Sequence, residues 1–574
     1  MALATAAGAG VATAGEVLRV PSTSAATSDQ LVKISSSDST PDFLNLKVAS
    51  GTRISTSILN PTGYQQLQIS VSDEIMPAAY VIYQSGLTTL ARNGQTGRDD
   101  YSGSDAATVI KSAMDALTTG GRVFIKNGTY PITTALNVLA NVVLEGESMT
   151  QTRLVWTSPY NQPMGFFGVV NIRSGAQVIN LTIDASSQLG RVIDGIFQFG
   201  DSSVGNIERA QILNAGDSCI QARGKRLSIK RCFWNEALVN VNNGATDILI
   251  EGCFAEDDGS TTKIGIVNTD GNGTERVIAN DNFAHLRYSY GSTVYRLIDF
   301  LTPRCEANHN IILSDVFQSS ANIVGIRLGH GLGDAYNIAN GNIVWNLVQG
   351  MVADELPGPG ITGDTSVGNN YIKVLNNVFY QGGFDFGENV FAIVEGNTFF
   401  GNNGQTGIRG NLLYATFKNN QFVNKTTFGV AFAAHYTTWE GNTFVDYQAT
   451  PTMVRAFDLQ ATSLANNMFE NNRIQVASMF GGIGSLAPTS IAKNNPGYNP
   501  QGIGSITVPP TGPFTYANND NVPEAIYVVG GTVSQVAKNS VNLFATTNVT
   551  VWLEPGESVT VSYSTAPSMF KDRK

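Results

Sequence analysis

Asn376-Asn377-Val378-Phe379, Gly396-Asn397-Thr398-Phe399, Asn419-Asn420-Gln421-Phe422, Gly441-Asn442-Thr443-Phe444 and Asn466-Asn467-Met468-Phe469 are five versions of one phrase, and their phenylalanines lie 20, 23, 22 and 25 residues apart. That period is too short for a pair of packed helices. A run with strand character precedes each phrase, as in Ala392-Ile393-Val394 or Leu412-Leu413-Tyr414-Ala415-Thr416-Phe417, and a Gly/Asn cluster follows most of them. Each unit therefore reads strand, turn, strand, turn. A unit of this size cannot bury its apolar side alone and must stack on its neighbours, Phe on Phe and Asn on Asn. The expected fold is all-β, a right-handed parallel β-helix. A sandwich with evenly spaced strands has no reason to repeat one side chain at one step.

Working outward, altered copies at Arg231-Cys232-Phe233, Gly252-Cys253-Phe254 and Asp281-Asn282-Phe283 carry the solenoid back to at least residue 227. Two residues before the repeating Asn stand Glu395, Lys418 and Glu440, and two before the paired cysteines stand Lys230 and Glu251. With coils ~4.8 Å apart these alternate in sign up one surface column, which removes those glutamates from the catalytic candidates. Cys232 and Cys253 take the interior position that Asn holds elsewhere. Cys219 and Cys305 complete a set with no metal-ligand spacing, and free thiols are expected although a disulfide between the stacked pair is geometrically feasible.

The 574 residues are only 14% charged, with net charge −10 and pI near 5.0, against a usual charged share of ~25%. A surface built from Asn, Ser, Thr, Gln and Gly suits hydrogen bonding to sugars or flanks covered in an oligomer. The acidic balance argues against nucleic acid and anionic membranes as partners, and no apolar run approaches the ~18 residues of a membrane span. Residues 1–28 carry few large apolar side chains, only Leu3, Val11, Val17, Leu18 and Val20, and no basic residue before Arg19. They read as an arm held by a partner protein, without the basic start of a signal peptide. Release by lysis of the producing cell is the matching expectation.

Short strands are expected from Asp29 to Ile82. The phrase Val32-Lys33-Ile34-Ser35-Ser36-Ser37-Asp38-Ser39-Thr40-Pro41-Asp42-Phe43-Leu44, followed by Leu67-Gln68-Ile69, resembles a small β module near the N-termini of bacteriophage tail and neck proteins. A polar loop at Asp99–Asp105 leads into Ala106, Val109, Ile110, Ala113 and Leu117 at helical spacing, stopped by Gly120-Gly121, and then a strand Arg122–Lys126. Helix and strand together resemble the N-terminal cap of the pectate-lyase-like superfamily. An uncapped solenoid exposes its core and unpaired backbone groups. At ~22 residues per coil, residues 139–480 give about fifteen coils and a shaft roughly 70 Å long. An irregular insertion at 351–370 carries three acids and two prolines; solenoid insertions collect on one face, often the binding face. After Asn495-Pro496-Gly497-Tyr498-Asn499-Pro500 the composition shifts to period-two strands around 526–529, 541–544, 549–553 and 558–563, a small β-sandwich. That stretch resembles the C-terminal modules of phage tailspikes and fibres, which trimerise the shaft or bind a receptor.

The domain plan is a virion-anchoring arm (1–28), a small β module (29–98), a capped shaft (99–494) and a C-terminal sandwich (495–574). The resemblance implies a homotrimeric phage tailspike or tail fibre, made in the host cytoplasm and carried on the virion. Its partners would be tail or adaptor proteins through the arm and host surface polysaccharide, with no nucleic acid and no membrane insertion. Two alternatives stay open: a polysaccharide depolymerase, hydrolase or lyase, on the same body, and a structural or decoration protein without glycan contact. No cofactor or metal is expected.

For chemistry, Asp257-Asp258, Asn268-Thr269-Asp270-Gly271 and Gly329-His330-Gly331 resemble fragments of the polygalacturonase branch of that superfamily. There one Asp protonates the glycosidic oxygen while two others activate water, and inversion needs carboxyl groups ~6.5–9.5 Å apart. Asp257, Asp258, Asp270 and His330 are the catalytic candidates on this resemblance. The order departs from the branch, however: Asp258 precedes Asp270 by 12 residues, about half a coil, and no Arg-x-Lys follows Gly331. Turn residues in an Asp/Asn/Gly-rich solenoid are the competing reading. Asp184, Asp194, Glu208, Asp217 and Glu256 are further acids along the first coils, and Arg287 is a basic partner that a lyase site at Asp257-Asp258 would use.

Overall fold

The structure, a computed structural model, describes residues 54–59, 66–71 and 78–573, apart from segments 159–167, 186–193, 258–263, 271–272, 289–294, 319–322, 330–335, 354–369 and 402–406 and residues 217, 236, 348 and 500. The arm, the phrase 32–44, most of the 351–370 insertion, Asp258 and His330 lie outside the described residues.

Each coil contributes one strand to each of three faces, in chain order A, B and C. Gly121–Ile125 (A), Gly128–Ile132 (B) and Leu136–Val138 (C) make an early coil; Val142–Gly146, Thr152–Trp156 and Gly168–Ile172 repeat the order one coil on. All pairing up the stack from there is parallel, for example Thr152↔Gly128 and Gly121↔Val142. Face B is a sheet of 14 strands running to Arg473–Gln475. The chain is a parallel β-helix, as the repeat predicted.

At the start, Tyr80–Ser85 pairs parallel with Gly121–Ile125 and so forms a rung of face A, while Thr88–Asn93 and Asp99–Gly103 add antiparallel strands beside it. Asp99–Gly103, expected as a loop, is thus a strand, its backbone donors claimed by Thr88–Asn93. The helix α1 (Ala106–Asp115) follows. Its N-cap Asp105 accepts from the Thr108 amide, and Ala106, Ala107, Val109, Ile110, Ala113 and Met114 are buried in the same apolar cluster as the first coils. Residues 502–573 form two four-stranded antiparallel sheets around a separate cluster that includes Ile526, Val528, Val536, Val551 and Val561. Among the described residues no helix is long and apolar enough to cross a membrane.

The repeated phrase is the corner between faces A and B. Its first residue takes a left-handed conformation, as at Gly341, Asn376, Gly396, Asn419 and Gly441 (φ between 53° and 70°), which Gly and Asn adopt at least cost. The second is an Asn turned inward. Asn282, Asn310, Asn342, Asn377, Asn397, Asn420, Asn442, Asn472 and Asn495 form one unbroken buried column. In it each amide Oδ1 accepts the backbone N–H and the Nδ2 of the coil before, as from Asn397 to Asn420 at 3.0 and 2.9 Å. Each Nδ2 also donates to a backbone carbonyl, as Asn420 does to Val394 at 2.9 Å. The column satisfies backbone groups that a tight corner would otherwise orphan inside the core. Cys253 holds the same position, its N–H donating to Asn282, and all four cysteines are buried free thiols.

Beyond the Asn column the rings stack. Phe379, Phe399, Phe422 and Phe444 lie inward with centroids 4.9, 5.0 and 4.6 Å apart. Two register expectations are corrected. Phe469 does not continue this stack, because it lies on face A opposite Trp439, and the partner of Phe444 is Ile474. A left-handed Asn466 there makes a different corner, between faces C and A. Phe233, Phe254 and Phe283 do stack, at 5.6 and 5.0 Å, but on the outer side of face B. They directly follow the corner residue, so the interior is filled by Trp234, Ala255 and Ala284 one residue later; a one-residue shift reverses the side in a strand. The charge column forms as expected, with Lys230–Glu251 at 2.7 Å, Lys418–Glu440 at 2.8 Å and Lys493–Glu470 at 3.5 Å.

Candidate functional site

Asp257 follows the face B strand Phe254–Glu256 and is buried, both carboxylate oxygens accepting the Arg287 backbone N–H at 3.1 Å. Asp270 is exposed at the end of the face C strand Ile264–Thr269, and its carbonyl accepts from the Thr274 hydroxyl. The two candidates therefore end strands on different faces. Asp258 and His330 lie outside the described residues.

Beside Asp257, on the outer side of face B, stands a group that sequence reading did not assemble. Glu256 and His285 are register partners in successive coils. His285 Nδ1 is 3.5 Å from Glu256, its Nε2 is 2.9 Å from Asp315, and the Arg287 guanidinium pairs with Glu256. The same outer column continues through Leu313 to Trp345, Tyr380 and Phe400, whose rings stack at 4.2 and 5.3 Å. Among the described residues no group of three or more His, Cys, Asp or Glu is arranged to hold a metal ion. Burial pushes the Cys219 and Cys232 thiols up, and Cys305 to about 11, so these are not nucleophiles at neutral pH.

A row of exposed rings lies at the corner between faces C and A. Tyr336, Tyr371, Phe391, Tyr414 and Tyr436 stack in one row, with centroids 4.9, 5.2, 5.1 and 5.0 Å apart and planes within 18° of parallel. The four tyrosines are 41–52% exposed. Because the faces cover one another, the row presents ring edges and phenol hydroxyls to solvent. Beside it runs a depression of about 370 Å³, lined by four of these rings and by Ile338, Lys373, Ile393 and Thr416 of face A. That is within the range of small-ligand sites, and a mostly apolar wall with a few polar groups is their usual make-up.

Each aromatic stands six residues before an Asn of the interior column: Tyr336 before Asn342, Tyr371 before Asn377, Phe391 before Asn397, Tyr414 before Asn420, Tyr436 before Asn442. That offset is the signal by which sequence alone would have found the row. In earlier coils the same offset gives Arg226, Asp247, Arg276 and Arg304, tied by Arg276–Asp247 at 2.6 Å and Arg304–Glu275 at 2.8 Å. Tyr414 and Tyr436 hold left-handed backbones, φ 55° and 58°. A bulky residue there costs about 1 kcal/mol or more, which Asn or Gly would largely avoid, and the neighbouring corner uses Asn and Gly throughout these coils. Large amphipathic side chains are kept at this corner despite that cost, in an exposed contiguous patch of the kind that marks an interaction surface.

No family model matches the chain, and no curated protein matches it. Among solved structures it is similar to a mutant tailspike protein of Escherichia coli bacteriophage HK620 in complex with hexasaccharide, at 13% identity and TM-score 0.40, covering 90% of this chain and 97% of that one. It is also similar to the N-terminal fragment of bacteriophage Phi29 gene product 12 (11%, TM-score 0.44, 66% and 70%). A third is the A-module of the Azotobacter vinelandii mannuronan C-5 epimerase AlgE6 (16%, TM-score 0.37, 68% and 94%). Its structural neighbours are thus phage tailspikes and polysaccharide-processing β-helices.

Proposed function

We propose that this protein is a tailspike or tail fibre whose β-helix shaft binds host surface polysaccharide along the Tyr336–Tyr436 groove. The observation that carries the reading is the five-ring row, four of its rings exposed tyrosines, beside a depression of about 370 Å³. Tyrosine offers a large, rigid, amphipathic contact surface at low entropic cost, and ring edges about 5 Å apart, four of the five bearing hydroxyls, match a chain of sugar rings, each apolar on its C–H faces and polar at its rim. The low-charge surface leaves hydrogen bonding as the main polar contact. In this reading residues 1–28 join the protein to tail or adaptor proteins of the virion, and the shaft works as a homotrimer. Calorimetry against a panel of bacterial capsular and O-antigen polysaccharides tests it: Tyr371→Ala/Tyr414→Ala weakens binding roughly 30-fold, as hot-spot residues do, and leaves the oligomer intact. A double variant that binds like the parent, or that loses only its oligomeric state, overturns the assignment.

A depolymerase is the second reading, favoured by Glu256, His285 and Asp315 at the end of the Trp345–Tyr380–Phe400 row. One carboxyl group would protonate the glycosidic oxygen while the other, or His285, takes the proton of the attacking water. New reducing ends from polysaccharide, abolished in Glu256→Gln and Asp315→Asn, support it; cleavage unchanged in both variants removes it.

A further inference from the structure

Among the described residues Lys373 is the one charged residue lining the groove, with Ile338 one coil before and Ile393 one coil after it in the same outer column of face A. Its side chain is exposed, and among the described residues no hydrogen bond or ion pair engages it. Lys230, Lys418 and Lys493, which stand two residues farther along their strands, are each matched by a glutamate from an adjacent coil. Lys373 has none, and no acidic side chain lines the depression. A polymer lying along the row would cover Lys373, so a counter-charge that it brings there is screened less than on an open surface. A lysine ammonium is a compact point charge that takes a carboxylate or a phosphate alike, without the fork that arginine imposes.

Resting on the reading of the row as a polysaccharide groove, we infer that the groove selects an acidic polysaccharide and seats an anionic substituent of the repeat, carboxylate or phosphate, on Lys373. The chain carries a net charge of −10, so an anionic polymer meets no overall attraction and a local cation in the groove is its anchor.

The test uses the full-length protein with a bacterial polyuronate and its carboxyl-reduced form, and with a phosphate-bearing surface glycan and its dephosphorylated form. Binding is measured for the parent, Lys373→Met, Lys418→Met and Tyr371→Ala/Tyr414→Ala. The parent binds one acidic polymer roughly tenfold tighter than its neutral derivative, the size of one charge-assisted hydrogen bond. Lys373→Met brings the two within about twofold, while Lys418→Met keeps the preference. Which pair shows the effect identifies the anion. Equal binding of acidic and neutral forms by the parent, or a preference that survives Lys373→Met, overturns the inference and leaves the groove standing. Aromatic variants that bind like the parent overturn the groove itself.

Discussion

Asn420→Leu keeps the branched outline of four side-chain heavy atoms and removes one rung of the interior amide column. In the parent, Asn420 Oδ1 accepts the Asn397 backbone N–H and Nδ2, and its Nδ2 donates to Asn442 Oδ1 and to Val394 O, all between 2.9 and 3.0 Å. The Asn397 side chain keeps its bonds to Val374 and Glu395, and Asn442 Oδ1 keeps the Asn420 backbone donor. What is lost outright is the acceptor of a buried backbone N–H and the side-chain donor to Val394 O. A buried group left unsatisfied costs about 1–3 kcal/mol, so two such groups, offset by some apolar gain, give about 2–4 kcal/mol. In a stacked solenoid the cost falls on the local coils, and at 1.4 kcal/mol per decade amide exchange across 394–422 accelerates roughly 30- to 700-fold. Hydrogen exchange read by mass spectrometry on purified protein measures this, with the exposed neighbour substitution Gln421→Leu as control. If Asn420→Leu exchanges at the parental rate while the control does the same, the column carries no stability and the corner argument fails.

Phe422→Ala, in the tight inward stack, costs about 3–5 kcal/mol, whereas Phe254→Ala on the outer side of face B costs markedly less; unfolding and proteolysis of the pair check the corrected register, and equal losses contradict it. Lys425 is buried and donates a hydrogen bond to Gly382 O at 2.9 Å, and burial pushes its amine down to about 7. The folded state therefore holds fewer protons than the unfolded one between about pH 7 and the ordinary lysine range near 10.5, so the parent gains stability as pH rises through that window and carries the full penalty below it. Lys425→Met abolishes that slope and is the more stable protein at pH 6, as stability curves at several pH values would register. Asp299 and Arg327 are buried and paired at 2.6 and 2.7 Å, so Asp299→Ala alone destabilises by about 3–5 kcal/mol, while replacing both by apolar residues costs less; calorimetric melting of the two variants distinguishes the outcomes.

The A–B corner was legible because one residue type does the whole task there: the turn needs a left-handed residue, and the next position needs an amide that accepts from one coil and donates to another. Where loops lengthen a coil the spacing widens, as from Asn342 to Asn377, and the column has to be followed by its chemistry. The side on which Phe254 lies depends on a single residue of register, and Asn466-Asn467 repeats the corner phrase five residues ahead of Asn471-Asn472, which holds the A–B corner; composition encodes neither. Asp257 misled for a related reason: it ends a strand at an inward position, and its carboxylate is taken up by the Arg287 amide. The aromatic row was present in the sequence at a fixed offset from the Asn column but was hidden because Tyr and Phe also read as strand residues. The Glu256–His285–Asp315 group is spaced 29 and 30 residues apart, close to the coil length there, but it went unassembled because Glu256 was grouped with its chain neighbour Asp257 and not with the residues one and two coils on.

In the proposed function the Tyr336–Tyr436 row faces a glycan. A cryo-electron microscopy reconstruction of the full-length protein with saturating fragments of its host's surface polysaccharide tests it most directly. The account predicts density for several sugar rings running along the row past Lys373, with Tyr371 and Tyr414 in contact. A row covered by a neighbouring subunit, or sugar density on another part of the shaft with this groove empty, would contradict it.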